Sequence, residues 1–251
     1  MAERSQTLMV SIGASDKSFV QNKKYVFIHW VSPEAEAQTM VSEIKKRGYK
    51  KLAMISHEQE GAIALEDAFV SEINKQGLGS NLLLKERVLR DVRDFKYFIT
   101  KLRSKNIDGV SVCLLPGGLA AFAKQARDLG LKADLFGFEL FEDANEVKAS
   151  DGALVGKWYI NSDDATDDFQ KLYFAKYQEE PGWAAANAYD TLSLIAAAVD
   201  KVGKDNLKIA GYLRNIKDYR GATGAYSATS DNRFNLPAAV KIVTKAGFKK
   251  L

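Results

Sequence analysis

The chain is poor in the residues that carry most metal and redox chemistry: its 251 residues hold one cysteine, Cys113, and two histidines, His29 and His57. A single cysteine excludes an internal disulfide. Its place inside an apolar run reads as a small buried hydrophobe that says little about compartment. The histidines fall on different expected elements, and neither belongs to a His-Glu-x-x-His helix, so neither a metal site nor a cofactor is expected. No run reaches the length of a membrane-spanning helix, and the longest apolar stretch, around Leu192 to Val199, is interrupted by Ser193. Neither sign of charge dominates. Lys and Arg number 36 against 32 Asp and Glu, and the short clusters Lys45-Lys46-Arg47 and Lys249-Lys250 stand at expected helix or chain ends. That pattern argues against nucleic acid and membrane surfaces as partners. Repeats and low-complexity segments are also missing. Met1 to Thr7 is polar and Leu8 to Ile12 is too short for a signal-peptide core, so no signal peptide is read in this chain.

What is present is an alternation. Lys51 to Ser56 is an apolar strand, followed by the polar turn His57-Glu-Gln-Glu-Gly61. Ala62 to Gly77 carries Ile63, Leu65, Ala68, Phe69 and Ile73 at helical spacing, and Leu82 to Val88 reads as the next strand. The unit then repeats: helix from Asp94 to Ser104, strand from Gly109 to Leu115, turn at Pro116-Gly-Gly118, helix from Leu119 to Leu129 with Gly130 as its stop. Strands apolar on both faces that alternate with helices imply a parallel sheet covered on both sides, whose ligands bind beyond the carboxyl ends of the strands. Function is therefore expected in the turns after Ser56, Leu115 and Phe138.

Three blocks follow from this reading. Met1 to Trp30 holds two short strands, Leu8 to Ile12 and Tyr25 to Trp30. Val31 to about Tyr159 is the α/β block; it opens with a helix, Pro33 to Arg47, capped by Ser32, and closes with strands Asp134 to Phe138 and Ala153 to Ile160. From Asn161 the chain is helical, with helices Asp167 to Gln178, Trp183 to Val202 and Leu207 to Ile216 and no strand between them. Trp183 is expected in the core, and the tail reads as two strands joined by a polar turn, ending in Ala238 to Thr244.

Catalytic patterns are scarce. No Gly-x-Ser-x-Gly elbow occurs, and Gly152-Ala-Leu-Val-Gly156-Lys157 is one residue short of a phosphate loop and has Trp158 where a hydroxyl is needed. Pro116-Gly-Gly118 follows a strand and opens a helix, a place that suits an anion, yet it lacks dinucleotide glycine spacing.

Several strings, in order, resemble the type I periplasmic solute-binding proteins of ABC importers, specifically the branched-chain amino-acid (Leu/Ile/Val) binding family. They are Leu8-Met-Val-Ser-Ile-Gly-Ala-Ser15, Tyr25 to Pro33 leading into Gln38, Lys50 to Ile55, Phe95 to Leu102 with Ile107-Asp-Gly109, Lys124 to Leu131, and Phe174 to Pro181 with Ala188-Tyr189-Asp190. The resemblance implies a two-lobed α/β architecture with one complete doubly wound parallel-sheet lobe, residues 31–160 and 237–251, and one incomplete lobe, residues 1–30 and 161–236. The opening elements of lobe one have no counterpart, so the chain reads as N-terminally shortened. It implies a non-enzymatic, extracytoplasmic protein, periplasmic or extracellular, that closes on a small amino acid or amide-type solute by hinge motion and delivers it to importer membrane subunits. Two other readings stay open, a sensor or regulatory domain of the same fold and an α/β enzyme.

Carried over by position, the family's ligand-gripping loop falls on Gly13, Ala14 and Ser15, where a backbone N–H and a hydroxyl suit an amino acid's polar groups, and its acidic ammonium ligand falls on Glu139. His57 and Glu60 are expected on a polar rim. Leu115 stands where the family has a tyrosine, and His57 to Gly61 has no tyrosine either. The helices after Asn161 carry apolar faces, Phe169, Leu172 and Tyr173, then Leu192, Leu194, Ile195 and Val199, then Leu213 and Ile216, that the family buries against lobe one. A second copy of the chain, as a homodimer, or a separate N-terminal fragment is the expected cover.

Overall fold

A computed structural model describes all 251 residues. The chain divides into two compact units, Met1–Ala35 with Ser162–Pro237, and Glu36–Asn161 with Ala238–Leu251. It opens with α1 (Ala2–Ser5), β1 (Met9–Ser11) and β2 (Val26–Ile28). Next come α2 (Pro33–Arg47), β3 (Leu52–His57), α3 (Glu60–Lys75), β4 (Leu82–Val88), α4 (Lys96–Ser104) and β5 (Gly109–Cys113). These are followed by α5 (Gly118–Asp128), β6 (Asp134–Gly137), α6 (Ala144–Ala149) and β7 (Trp158–Ser162). Helices α7 (Asp167–Tyr177), α8 (Ala185–Val202) and α9 (Asn206–Arg214) lead to β8 (Tyr219–Gly221) and β9 (Gly224–Tyr226), and the chain ends with β10 (Ala238–Thr244) and β11 (Gly247–Lys250).

The second unit is built on a seven-stranded sheet of order β11-β10-β7-β6-β5-β3-β4, in which β4, β3, β5, β6 and β7 pair in parallel. This is the α/β architecture that the alternation predicts. Strand neighbours in sequence are not always neighbours in space, however: β5 pairs with β3 and leaves β4 on the edge, so the order reverses at β3. The reversal explains the composition of β4, where half-buried Leu82, Leu84 and Val88 alternate with exposed Leu83, Lys85 and Arg87.

Both faces of this sheet are covered. On one face Ala53, Ile55, Val110, Val112 and Leu135 pack with Phe98 and Leu102 of α4 and Phe122 of α5. On the other, Leu52, Met54, Phe136 and Trp158 pack with Met40 and Ile44 of α2 and Phe69 and Ile73 of α3. Each such side chain contributes about 1.5–3 kcal/mol on burial, so a sheet covered twice supports itself.

Three local expectations are corrected. The strand placed at Ala153 to Ile160 begins only at Trp158, because Asp151, Gly152 and Gly156 all adopt positive φ and turn the chain. The tail holds two hairpins, β8 with β9 and β10 with β11. Helix α8 starts at Ala185, and Trp183 ahead of it is 58% exposed rather than core; its ring meets buried Trp30 edge-on at 5.2 Å.

The first unit has a parallel pair, β1 with β2, and a core of Phe27, Leu194, Ala198, Ile209, Leu213, Tyr226, Phe234 and Leu236. The apolar faces expected to lie open are covered in part from within: Phe169, Leu194, Leu213 and Ile216 are buried, whereas Leu172 and Leu192 are exposed. Asp190 organises the end of this unit. Fully buried on α8, it accepts the N–H groups of Ala222 (2.6 Å) and Thr223 (2.9 Å) and the Thr223 hydroxyl (2.7 Å), holding the β8–β9 turn. No helix of the chain is long and apolar enough to cross a membrane.

Candidate functional site

The strand order of the second unit's sheet reverses at β3 and β5, and in doubly wound sheets ligands bind beyond the carboxyl ends of the strands at such a point. His57 ends β3, Cys113 ends β5, and Glu139 follows two residues after β6. The His57 ring is fully buried, and its Nδ1 accepts the Leu115 N–H at 2.8 Å, so the neutral ring carries its proton on Nε2. Burial lowers its pKa, and the Arg93 and Arg90 charges lower it further. The contact needs Gly118, since a Cβ there would lie 2.7 Å from His57 Cε1. Structure thus joins buried His57 at the end of β3 to Leu115 in the loop after β5, rather than leaving it on an exposed rim.

The chemically unusual group is one that sequence reasoning missed. Glu36, in the first turns of α2, is fully buried and neither carboxyl oxygen has a hydrogen-bond partner. One turn along the helix, Met40 Sδ lies 3.9 Å from the Ser111 hydroxyl on β5, which places Glu36 over the carboxyl end of that strand, near Cys113. Burial raises the Glu36 carboxyl well above the usual carboxylate range, and the charge of Glu139 raises it further. Burial also raises Glu139, against a smaller opposing pull from its own backbone N–H, and its Oε2 is buried without a partner. The Cys113 thiol is pushed up by burial and by the same acids, with Glu66 as a third. A signal for Glu36 exists in the sequence: it stands four residues before Met40 and eight before Ile44, on the helix stripe that faces the sheet.

Other expected residues fall elsewhere. Glu60 is the exposed first residue of α3, where it complements the helix dipole. Gly13, Ala14 and Ser15 follow β1 in the first unit; Gly13 is exposed, the Ala14 N–H donates to Ser11 Oγ at 3.1 Å, and Ser15 is buried. The anion seat at Pro116-Gly-Gly118 is occupied by the chain itself. Glu146 of α6 accepts the N–H groups of Gly117 and Ala120 there, the latter at 2.8 Å.

Unpaired carboxyl groups therefore stand at the carboxyl edge of a doubly wound sheet. The chain belongs to the periplasmic binding protein family, whose profile matches residues 1–247. It is 28% identical over 210 residues to Leu/Ile/Val-binding protein homolog 3 of Brucella melitensis, a match that spans 78% of this chain and 55% of that relative. Among solved structures, a leucine-binding protein from Thermotoga maritima has the same fold, with TM-score 0.88 and 21% identity over all of this chain and 73% of its own. An ABC-transporter solute-binding protein from R. palustris in complex with benzoate is similar at TM-score 0.84 and 16% identity, over 100% of this chain and 71% of that one. The fold is therefore that of the two-lobed type I periplasmic binding proteins.

Proposed function

We propose that this chain is the solute-binding part of an ABC importer of the branched-chain amino-acid type, acting outside the cytoplasm and handing its solute to the importer's membrane subunits. It catalyses nothing. The solute is a small amino acid or a related amide, captured by hinge closure. The observation that supports an amine-bearing solute is the Glu139 carboxyl, half free at the carboxyl edge of a sheet in a chain of a binding family. Glu139 takes the ammonium.

Titration calorimetry of the purified chain with L-leucine, L-isoleucine, L-valine, L-glutamine and benzoate tests this. Saturable binding of an amino acid is expected, with Glu139→Gln weakening it by about 1.5–3 kcal/mol, the range for hydrogen bonds to charged groups. Absence of binding to every member of the panel would overturn the reading.

A further inference from the structure

Three buried acceptor atoms at one edge of the sheet have no donor: both oxygens of Glu36 and Oε2 of Glu139. Desolvating a carboxyl without a partner costs free energy, and nothing in the folded chain offsets it at Glu36. An apolar side chain at that position would extend the stripe of Met40, Val41 and Ile44 without that cost. No side chain of the folded chain hydrogen-bonds these three oxygens. Nearby Glu66 is an acid already committed to Lys85 (2.8 Å) and Arg87 (2.8 Å), and the neighbouring Cys113 thiol is neutral. A protonated primary amine offers three donors and a positive charge to these oxygens, and its charge would let the Glu36 carboxyl ionise.

We propose that Glu36 is a second ligand-binding acid which, together with Glu139, makes this site select solutes bearing a protonated amine over solutes that carry only a carboxylate. The proposal rests on the solute-binding reading above and deepens it. A carboxylate-only solute brings a second negative charge toward Glu139 and gives neither acid a cation to pair with. An amine turns the same oxygens from a stability cost into affinity. Glu36 is thus unfavourable in the empty protein and favourable in the filled one.

The test uses matched pairs that differ in the amine alone, L-leucine with isocaproate and L-valine with isovalerate, on the wild type, Glu36→Gln and Glu36→Met. Affinities come from calorimetry and melting temperatures from circular dichroism at pH 8 without solute. The expected result is that the wild type prefers the amine of a pair, that both variants lose about 10- to 100-fold in amine affinity, as for a hydrogen bond to a charged group, and that their melting temperatures equal or exceed the wild type's. Lowered melting temperatures with unchanged affinity would assign Glu36 a purely structural role and overturn the proposal. A wild type that binds isocaproate as tightly as L-leucine would overturn it while leaving the solute-binding reading intact; a wild type that binds no solute of either kind would overturn both.

Discussion

The carboxylate of Glu146 caps α5 from outside: its Oε2 accepts the Ala120 N–H at 2.8 Å and its Oε1 the Gly117 N–H. A helix N-terminus that sequence inspection marks as an anion seat is already filled, by an acid that lies 29 residues from Gly117 on another helix. Removing that acid exposes orphan amide groups. Glu146→Ala is expected to cost about 1–2 kcal/mol in urea denaturation, as for loss of a helix cap. Sulfate should then raise the melting temperature of the variant more than that of the wild type; an equal response in both would show that Glu146 does not occupy the seat.

Glu66 controls the acid side of the second unit. It is fully buried, and burial alone would raise its pKa, but hydrogen bonds from Arg87, Lys85 and Ser56 together outweigh that and lower it. A carboxyl depressed in the fold stabilises it above the unfolded pKa of about 4.3, and that stability is lost as pH falls through the folded pKa. Glu66→Gln should flatten the acid limb of the stability profile below about pH 4.3. At neutral pH it should cost about 1–3 kcal/mol, the range for a buried group left unsatisfied, since Arg87 and Lys85 reach solvent when released. An unchanged acid limb in the variant would contradict the assignment.

His29 sets the acid response of the first unit. Its ring is fully buried against Tyr226 (4.9 Å) and Phe234 (5.1 Å), and burial lowers its pKa from 6.5 to about 4 despite the opposing charge of Asp190. The unfolded chain therefore binds this proton more readily than the folded one between those values. Stability is complete above pH 6.5 and falls as pH drops toward 4, by about 3 kcal/mol for that shift. Chemical denaturation of His29→Gln across this range should lose most of that slope, and a slope equal to that of the wild type would count against a buried neutral ring.

Gly221 and Asp190 form a pair in which one residue's smallness admits the other's charge. A Cβ on Gly221 would lie 2.4 Å from both Asp190 oxygens, which hold the turn through Ala222 and Thr223. Gly221→Ala should destabilise the chain by about 1–3 kcal/mol by displacing those bonds. In Asp190→Ala the same glycine change should cost much less, and additive losses in the double variant would show that the two positions are independent.

Much of this protein is legible without coordinates, because local spacing reports what a segment buries. The strand at Leu52–His57, the helices at Pro33–Arg47 and Glu60–Lys75, and hence the α/β class follow from apolar residues at periods of two and 3.6. Which strand lies beside which is a different kind of fact. The placing of β5 against β3 rather than β4 depends on long-range pairing that no local period records. The turn at Asp151 to Gly156 interrupts an apolar run because backbone angles, not hydropathy, decide it. The site divides in the same way. Glu139 is marked by its position after a strand, whereas Glu36 in Pro33-Glu-Ala-Glu-Ala37 differs from a solvated helix acid only in its spacing to Met40 and Ile44. Only packing of α2 on the sheet takes one of those two glutamates out of water, leaving Glu34 to pair with Arg233 at 2.8 Å and Glu36 with no partner, because a helix turns neighbouring residues to different faces and tertiary contact alone decides which face is buried.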